Sequence, residues 1–533
     1  MEVLKSRAVP TGPQVSQTLT FITEEEKEVE RYDTEIQKLR RAMDRLESEK
    51  DEIQGKIRDR RGWISISRSD DDDGDGLELY ISPKHISSRT LSLSHVSSQW
   101  RNAAISLPQL WSSITVYLDA RPEFHDADSL AALYLQRAKN HPLKLHLVVR
   151  TGTSPAMLPH YLGQQGCSIL RVLISALPWC RRLVVEIPDE FLDFLYDHYQ
   201  ETLSYPLLES FSDHISEDDR QGSFLEISRF WRILGNAPRL KKICLSSDFL
   251  VDADVLPYGQ LTDVDLLSGY NAVYILQVCA NITTFMVTGF YERSPLLLDT
   301  PVVAQNLRCL KLHGCNSDDL AAFFKSVTLP SLISLSVDSY SPGRGPPSLV
   351  WICEDEFISM LERSLAPLQE LNLLFGEVYP TSNGLMQILR LCRQLTSLEI
   401  DTSMVVYDNF TEQRAFVPKL LEGLMVAEGS PHGPCMAPRL AEIVMKEEAT
   451  SESAALRIAE AALSMAQSRV SSEAPSLKRL QLNLKYRANP GVEASTSQML
   501  KEECFELARK GLVCEFFLEV SSRKTSAEVV QTY

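Results

Sequence analysis

The spacing L-x-x-L-x-L recurs through most of this chain and constrains its fold more than any other feature. It appears in PRLKKICL (Leu240, Ile243, Leu245), LTDVDL (Leu261, Val264, Leu266) and ITTFMV (Ile282, Phe285, Val287). LRCLKL (Leu307, Leu310, Leu312), PSLISLSV (Leu332, Leu335, Val337), PLQELNL (Leu368, Leu371, Leu373) and CRQLTSLEI (Leu395, Leu398, Ile400) repeat it. LLEGLMV, PRLAEIVM and PSLKRLQL carry it through Leu421, Leu440 and Leu477, and CRRLVVEI (Cys180, Leu183, Val185) is an earlier, weaker copy. Side chains alternate along a strand, so the last two apolar positions share one side and the residues between them take the other. One unit cannot bury its own apolar groups, whereas stacked units bury them in a continuous core.

Most copies start about 19 to 27 residues apart, which matches leucine-rich-repeat periods. The fold expected is an α/β solenoid over residues 166–520 with parallel strands. DDLAAFFKSV and EDEFISMLERSL would form helices on the outer side. SPGRGPPS and EGSPHGPCMAP are loops by composition, and residues 521–533 read as a mobile tail. The outward strand positions would line a concave face. Asp338, Glu370, Asn372, Ser397, Glu399 and Asp401 mark a candidate ligand surface there, suited to a basic or hydroxyl-rich protein segment. The alternative is an ordinary solvated strand face.

Upstream of the repeats the texture differs. Residues 1–18 read as a loose tail. Over 19–61, Val29, Tyr32, Ile36, Leu39, Met43, Leu46, Lys50, Ile53 and Ile57 fall at alternating spacings of three and four, a heptad seam broken once, at Lys50. Glu24, Glu25 and Glu26 near one end and Arg58, Arg60 and Arg61 at the other suit the helix dipole. Either this helix pairs two copies of the chain, with Ile36, Leu39, Met43, Leu46 and Ile53 in the dimer seam, or it is a solvated helix packed on its own domain. Residues 62–82 read as an acidic linker. Asp71, Asp73, Asp75 and Gly76 match the start of a calcium loop, but the twelfth position is Ser82 where a bidentate Glu belongs.

Bulk properties narrow the function classes. At 533 residues the chain exceeds one compact core. A net charge of −17 argues against nucleic acid or an anionic membrane as the main partner. The eleven cysteines are scattered without a C-x-x-C, and no apolar run approaches a membrane span, so a cytoplasmic or nuclear setting is expected.

LSHVSSQWRNAAISLPQLWSSI, within residues 83–118, reads as an amphipathic helix over Leu93–Ser106 that Pro108 stops, followed by the strand-like TVYL. Val96, Trp100, Arg101, Ala104, Pro108, Leu110, Trp111, Ser112 and Ile114 make this stretch resemble the second half of an F-box, in the version abundant in mushroom-forming fungi. That family also carries a heptad helix before the F-box and degenerate leucine-rich repeats after it. The first half, with its Leu-Pro opening and apolar helix, has no counterpart here. The resemblance implies the substrate-receptor subunit of a Skp–cullin–F-box ubiquitin ligase, with the F-box on the Skp-type adaptor and the repeats on a target protein. Val96, Trp100, Pro108, Leu110, Trp111 and Ile114 would then bind the adaptor. The bland reading has them capping the repeat array. Residues 119–165 read as a connecting segment.

No G-x-S-x-G, H-E-x-x-H, P-loop or complete G-x-G-x-x-G occurs, so a non-enzymatic chain with no cofactor and no metal is expected. Cys309, His313 and Cys315 carry zinc-type donors, but a structural site wants four ligands, and an accidental outward-facing trio is the better reading.

Overall fold

The computed structural model describes residues 78–82, 85–119, 126–150, 158–187, 204–213, 234–245, 256–267, 272–289, 301–315, 317–339, 353–375, 381–402, 416–426, 436–449, 451–471, 477–487, 503–521 and 526–532, with positions 27 and 31. The chain divides into two units, Met1–Gly76 and Leu77–Tyr533. In the first, Lys27 and Arg31 are helical and exposed. The dimer-seam residues Ile36, Leu39, Met43, Leu46 and Ile53, and the calcium-loop positions 71–76, lie outside the described residues.

The second unit is an α/β fold built on a long, mostly parallel sheet. Its strands are β1 (Leu79–Ser82), β2 (His85–Ser88), β3 (Ser113–Asp119), β4 (Leu143–Arg150), β5 (Cys180–Glu186), β6 (Ser210–Asp213), β7 (Lys242–Leu245), β8 (Asp263–Leu266) and β9 (Thr284–Thr288). After a short β10 (Val302–Val303) come β11 (Cys309–His313), the short β12 (Val327–Thr328), β13 (Ser334–Ser339), β14 (Glu370–Phe375), β15 (Ser397–Asp401), β16 (Glu442–Ala449), β17 (Arg479–Arg487), β18 (Val513–Ser521) and β19 (Ser526–Thr532). From β3 to β18 each strand pairs in parallel with the next in chain order, except that β10 and β12 pair only with each other. At the two ends β2 and β19 lie antiparallel on β1 and β18.

The register stacks the apolar triplets. One row runs Ile114, Leu145, Leu183, Phe211, Ile243, Val264, Phe285, Leu310, Leu335, Leu371, Leu398, Ile443, Leu480 and Cys514. None of these residues is more than 2 % exposed. Burying each such side chain contributes about 1.5–3 kcal/mol. A hydrogen-bonded spine runs along the start of the strands. The carbonyl just after the first apolar residue accepts two successive N–H groups from the next strand, from Lys241 through Thr262, Thr283, Arg308, Ile333, Gln369 and Thr396 to Ala441. Where repeats are closely spaced, side-chain amides reinforce it. Gln260, Asn281 and Asn306 donate to the carbonyls of Ala237, Gly259 and Ala280 at 2.6, 2.6 and 2.9 Å. The polar residue preceding each first leucine thereby satisfies a turn carbonyl of the unit before it. β9 and β11 end in Gly289 and Gly314 at φ 71° and 63°, a turn that glycine adopts without a Cβ penalty.

Helices cover the apolar side. They are α1 (Arg89–Val96), α2 (Ser98–Ser106), α3 (Ala127–Ala138), α4 (Leu158–Ile174), α5 (Ala272–Val278), α6 (Ser317–Ser326), α7 (Glu354–Ser364), α8 (Ser382–Leu391), α9 (Phe416–Gly423) and α10 (Glu452–Val470), with a further helix over 503–509. Phe324 of α6 packs on Phe357 of α7 with ring centroids 4.9 Å apart. Glu354 at the start of α7 clasps the next helix, its carboxylate accepting from the Thr381 N–H and hydroxyl at 2.6 Å each.

Several expectations need correction. The sheet does not begin near residue 166. Residues 119–165 hold α3, β4 and the start of α4, and the strands β1 and β3 lie further upstream. Trp111 takes the first apolar position of a triplet completed by Ile114 and Val116, and an aromatic residue there is invisible to a search for leucines. LLEGLMV is not a strand. Phe416, Val417, Leu420, Leu421 and Leu424 are buried at helical spacing, and α9 spans most of them. The buried Arg469 of α10 holds the turns beyond it, donating to the carbonyls of Leu424, Met436 and Ala437. The segment expected to be a mobile tail carries β19. The single helix expected over Leu93–Ser106 is two, because Ser97 adopts an extended conformation and caps α2 through the Trp100 N–H.

Candidate functional site

With one side of the sheet under helices, the other side carries the outward strand positions. The register of β13, β14 and β15 brings all six expected residues onto this face. Ser334, Glu370 and Ser397 form one row, Ser336, Asn372 and Glu399 the next, and Asp338, Leu374 and Asp401 the third. Neighbouring strands in such a sheet lie about 4.8 Å apart, so the three acidic strands form one patch.

β16 to β18 change its electrostatics. The Lys446 Nζ sits 2.8 Å from Glu399 Oε1 and 3.5 Å from Asp401 Oδ2. Burial works to lower the Lys446 pKa, but the Glu399 hydrogen bond and the charges of Glu399 and Asp401 more than offset it, so the ammonium is held above its ordinary value. Arg479 repeats the arrangement on the next strand and two rows over, 2.8 Å from Glu442 and 2.9 Å from Glu515. Asp338 is pushed up by burial and by the charge of Asp401, while His313 and the Gly314 N–H work against that rise. The His313 Nδ1 lies 4.0 Å from Asp338 Oδ2. The patch is therefore acidic but laced with two cross-strand cations. Glu370 is its most exposed carboxylate.

Sequence reasoning missed the apolar rungs of this face, Leu374, Val444 and Phe517, which lie in the same rows as the charges. The alternation in ELNLLF carried the signal for Leu374. It also missed an aromatic group at the other end. Tyr80 and Tyr117 approach at 5.1 Å, Tyr117 meets His146 edge-on at 6.0 Å, and His146 contacts Glu186 at 3.1 Å. The second apolar position of each unit should likewise face inward, yet β6 places Asp213 there, opposite Val185 and wholly buried.

The F-box-like stretch divides its six candidate residues between two jobs. Trp111 is wholly buried. Its indole Nε1 donates to the Ala104 carbonyl at 2.7 Å, its ring meets Tyr134 at 4.9 Å, and the Arg137 guanidinium lies over it at 4.3 Å. Ile114 is core, Pro108 opens a short 3-10 turn, and Leu110 packs half-buried against the core. Val96 and Trp100 are turned out, 66 % and 54 % exposed, and Ile105 and Leu107 are exposed too. Neither helix carries a carboxylate, and Arg101 Nε links them by donating to the Ser94 carbonyl at 3.1 Å. Upstream, the resemblance implies an apolar first helix. There β1 and β2 pair antiparallel instead, and Leu79 and Ile81 are wholly buried against β3.

Cys315 does not face outward with Cys309 and His313. It is buried, and its thiol lies 3.4 Å from the His313 carbonyl. Among the described residues no group of three or more histidines, cysteines or carboxylates could hold a metal ion. No described helix is long and apolar enough to cross a membrane. The chain matches no protein-family model, and no curated protein is detectably similar to it.

Proposed function

We propose that this chain is a non-catalytic binding protein with leucine-rich-repeat character, which holds a target protein on the open face of its sheet. We read it as an F-box-like receptor, with α1 and α2 docking a Skp-type adaptor of a cullin ubiquitin ligase, in the cytoplasm or nucleus. The observation that carries the binding role is the ladder itself. Its apolar rows saturate the covered side and leave a polar, acid-rich open side free to vary. The adaptor role rests on the exposed Val96 and Trp100, which large-scale packing does not use and which match the resemblance.

Mixing the purified chain with a Skp-type adaptor tests the receptor reading. A stable complex that Trp100→Ala weakens supports it. The alternative is a repeat scaffold of F-box descent that no longer engages the ligase. The antiparallel β1–β2 pair standing where the first F-box helix is implied favours that alternative, and absence of binding by a folded chain would select it. Charge reversal at Glu399 and Asp401 tests the target face. The set of co-purifying proteins should change, and an unchanged set would remove the face from the proposal. Light scattering with and without residues 19–61 tests whether the heptad segment pairs two copies.

A further inference from the structure

The end of the sheet holds two cysteines that the binding role does not use. The 503–509 helix runs into β18 through a tight turn. The N–H groups of Lys510 and Leu512 both reach the Leu507 carbonyl, at 3.0 and 3.2 Å, and Gly511 supplies the positive φ of 89°. Such a turn folds the inner side of the helix back over the first residues of the strand. On that inner side Cys504 and Leu507 are 1 % exposed, while Phe505, Glu506 and Arg509 face outward. On the strand, Cys514 occupies the inward position opposite Leu480 and is wholly buried. The two side chains meet there, and the Cys504 thiol donates a hydrogen bond to the Cys514 sulfur. The thiols of Cys167, Cys180, Cys244, Cys279 and Cys392 are instead shifted mainly by burial, with no second thiol among the causes.

We propose that Cys504 and Cys514 are an oxidisable dithiol, a modification site whose co-substrate is a peroxide and whose product is a disulfide. Peroxide oxidises one thiol to a sulfenic acid and leaves as water. The second sulfur attacks that sulfenic sulfur, the S–S bond forms, and the hydroxyl departs with the remaining thiol proton as a second water. Both sulfurs are covered, so reaction follows local opening of the short 503–509 helix. The bond closes the helix–turn–strand loop and ties the last helix to the sheet, restricting fraying of the β18–β19 end.

Treating the full chain with hydrogen peroxide, quenching, then alkylating under denaturing conditions and mapping tryptic peptides tests this. Cleavage at Lys510 separates the two cysteines, so the disulfide joins two peptides that a reductant releases. The expected result is simultaneous loss of both free thiols and appearance of the linked pair, absent in Cys504→Ser and Cys514→Ser, with slower proteolytic release of the C-terminal hairpin. Circular dichroism confirms that both variants fold. Recovery of both thiols alkylated, or of sulfinic acid at either position without the linked pair, would overturn the proposal.

Discussion

The two ends of the sheet share an inward ladder and differ in almost everything else. At β1 to β5 the first triplet starts with Trp111, β1 and β2 pair antiparallel at the edge, the open face carries Tyr80, Tyr117 and His146, and α1 and α2 turn Val96 and Trp100 outward. At β13 to β17 the triplets are aliphatic, and the open face from there to β18 is a set of carboxylates bridged by Lys446 and Arg479. The lesson is that strand alternation separates stability from recognition. The inward rows are apolar apart from Asp213 of β6 and Glu447 of β16, while the outward rows change character from one end to the other.

The largest test of that separation sets two tryptophans against each other. Trp111→Ala should cost about 3–5 kcal/mol in denaturant unfolding, whereas Trp100→Ala should stay within about 0.5 kcal/mol. Equal losses would mean that α2 is packed as tightly as the ladder. Between the two ends, Asp265 of β8 breaks the rule that outward carboxylates sit in water. Burial pushes it up to about 6 from 3.8, while the Cys244 hydrogen bond and the Lys311 charge work against that rise. Its contribution is fully present below about pH 3.8, where it is neutral, and is lost as pH rises through about 6. Relative to Asp265→Asn, the chain should gain up to about 3 kcal/mol between about pH 7 and pH 4. Parallel pH profiles of the two proteins would show the residue to be solvated instead.

On the covered side of the C-terminal stretch, a Cβ at Gly384 would lie 1.7 Å from Glu354 Oε1, inside the clasp on Thr381. Gly384→Ala should therefore cost about 1–3 kcal/mol, and a double-mutant cycle with Glu354→Ala should be strongly non-additive. The smallest effect falls on the open face. Lys446→Gln should change stability by about 1 kcal/mol or less while strengthening capture of a basic peptide, measured by titration at low salt. A large loss of stability there would make the charged face part of the fold rather than a surface for a partner.

Much of this was legible in the residues. Leu310, Leu335, Leu371 and Leu398 stack as their spacing requires, because a period of two along a strand is a local property. LLEGLMV was misread because Leu421 and Leu424 satisfy the strand spacing and the helical one alike, and only neighbouring Phe416 and Val417 decide between them. The six open-face residues were found by alternation alone. The place of Lys446 between Glu399 and Asp401 was not legible, since 45 or more residues separate them in the chain.

The sequence by itself determined which residues face inward and that like units must stack, because alternation and apolar burial act within each unit. Only the tertiary structure decided which outward charges meet, which tryptophan is core and which is surface, and that β1 and β2 pair antiparallel at the edge. Those outcomes depend on the order and offset of units distant in the chain. A neighbour across strands is set by the register of the whole stack, and no single segment encodes it.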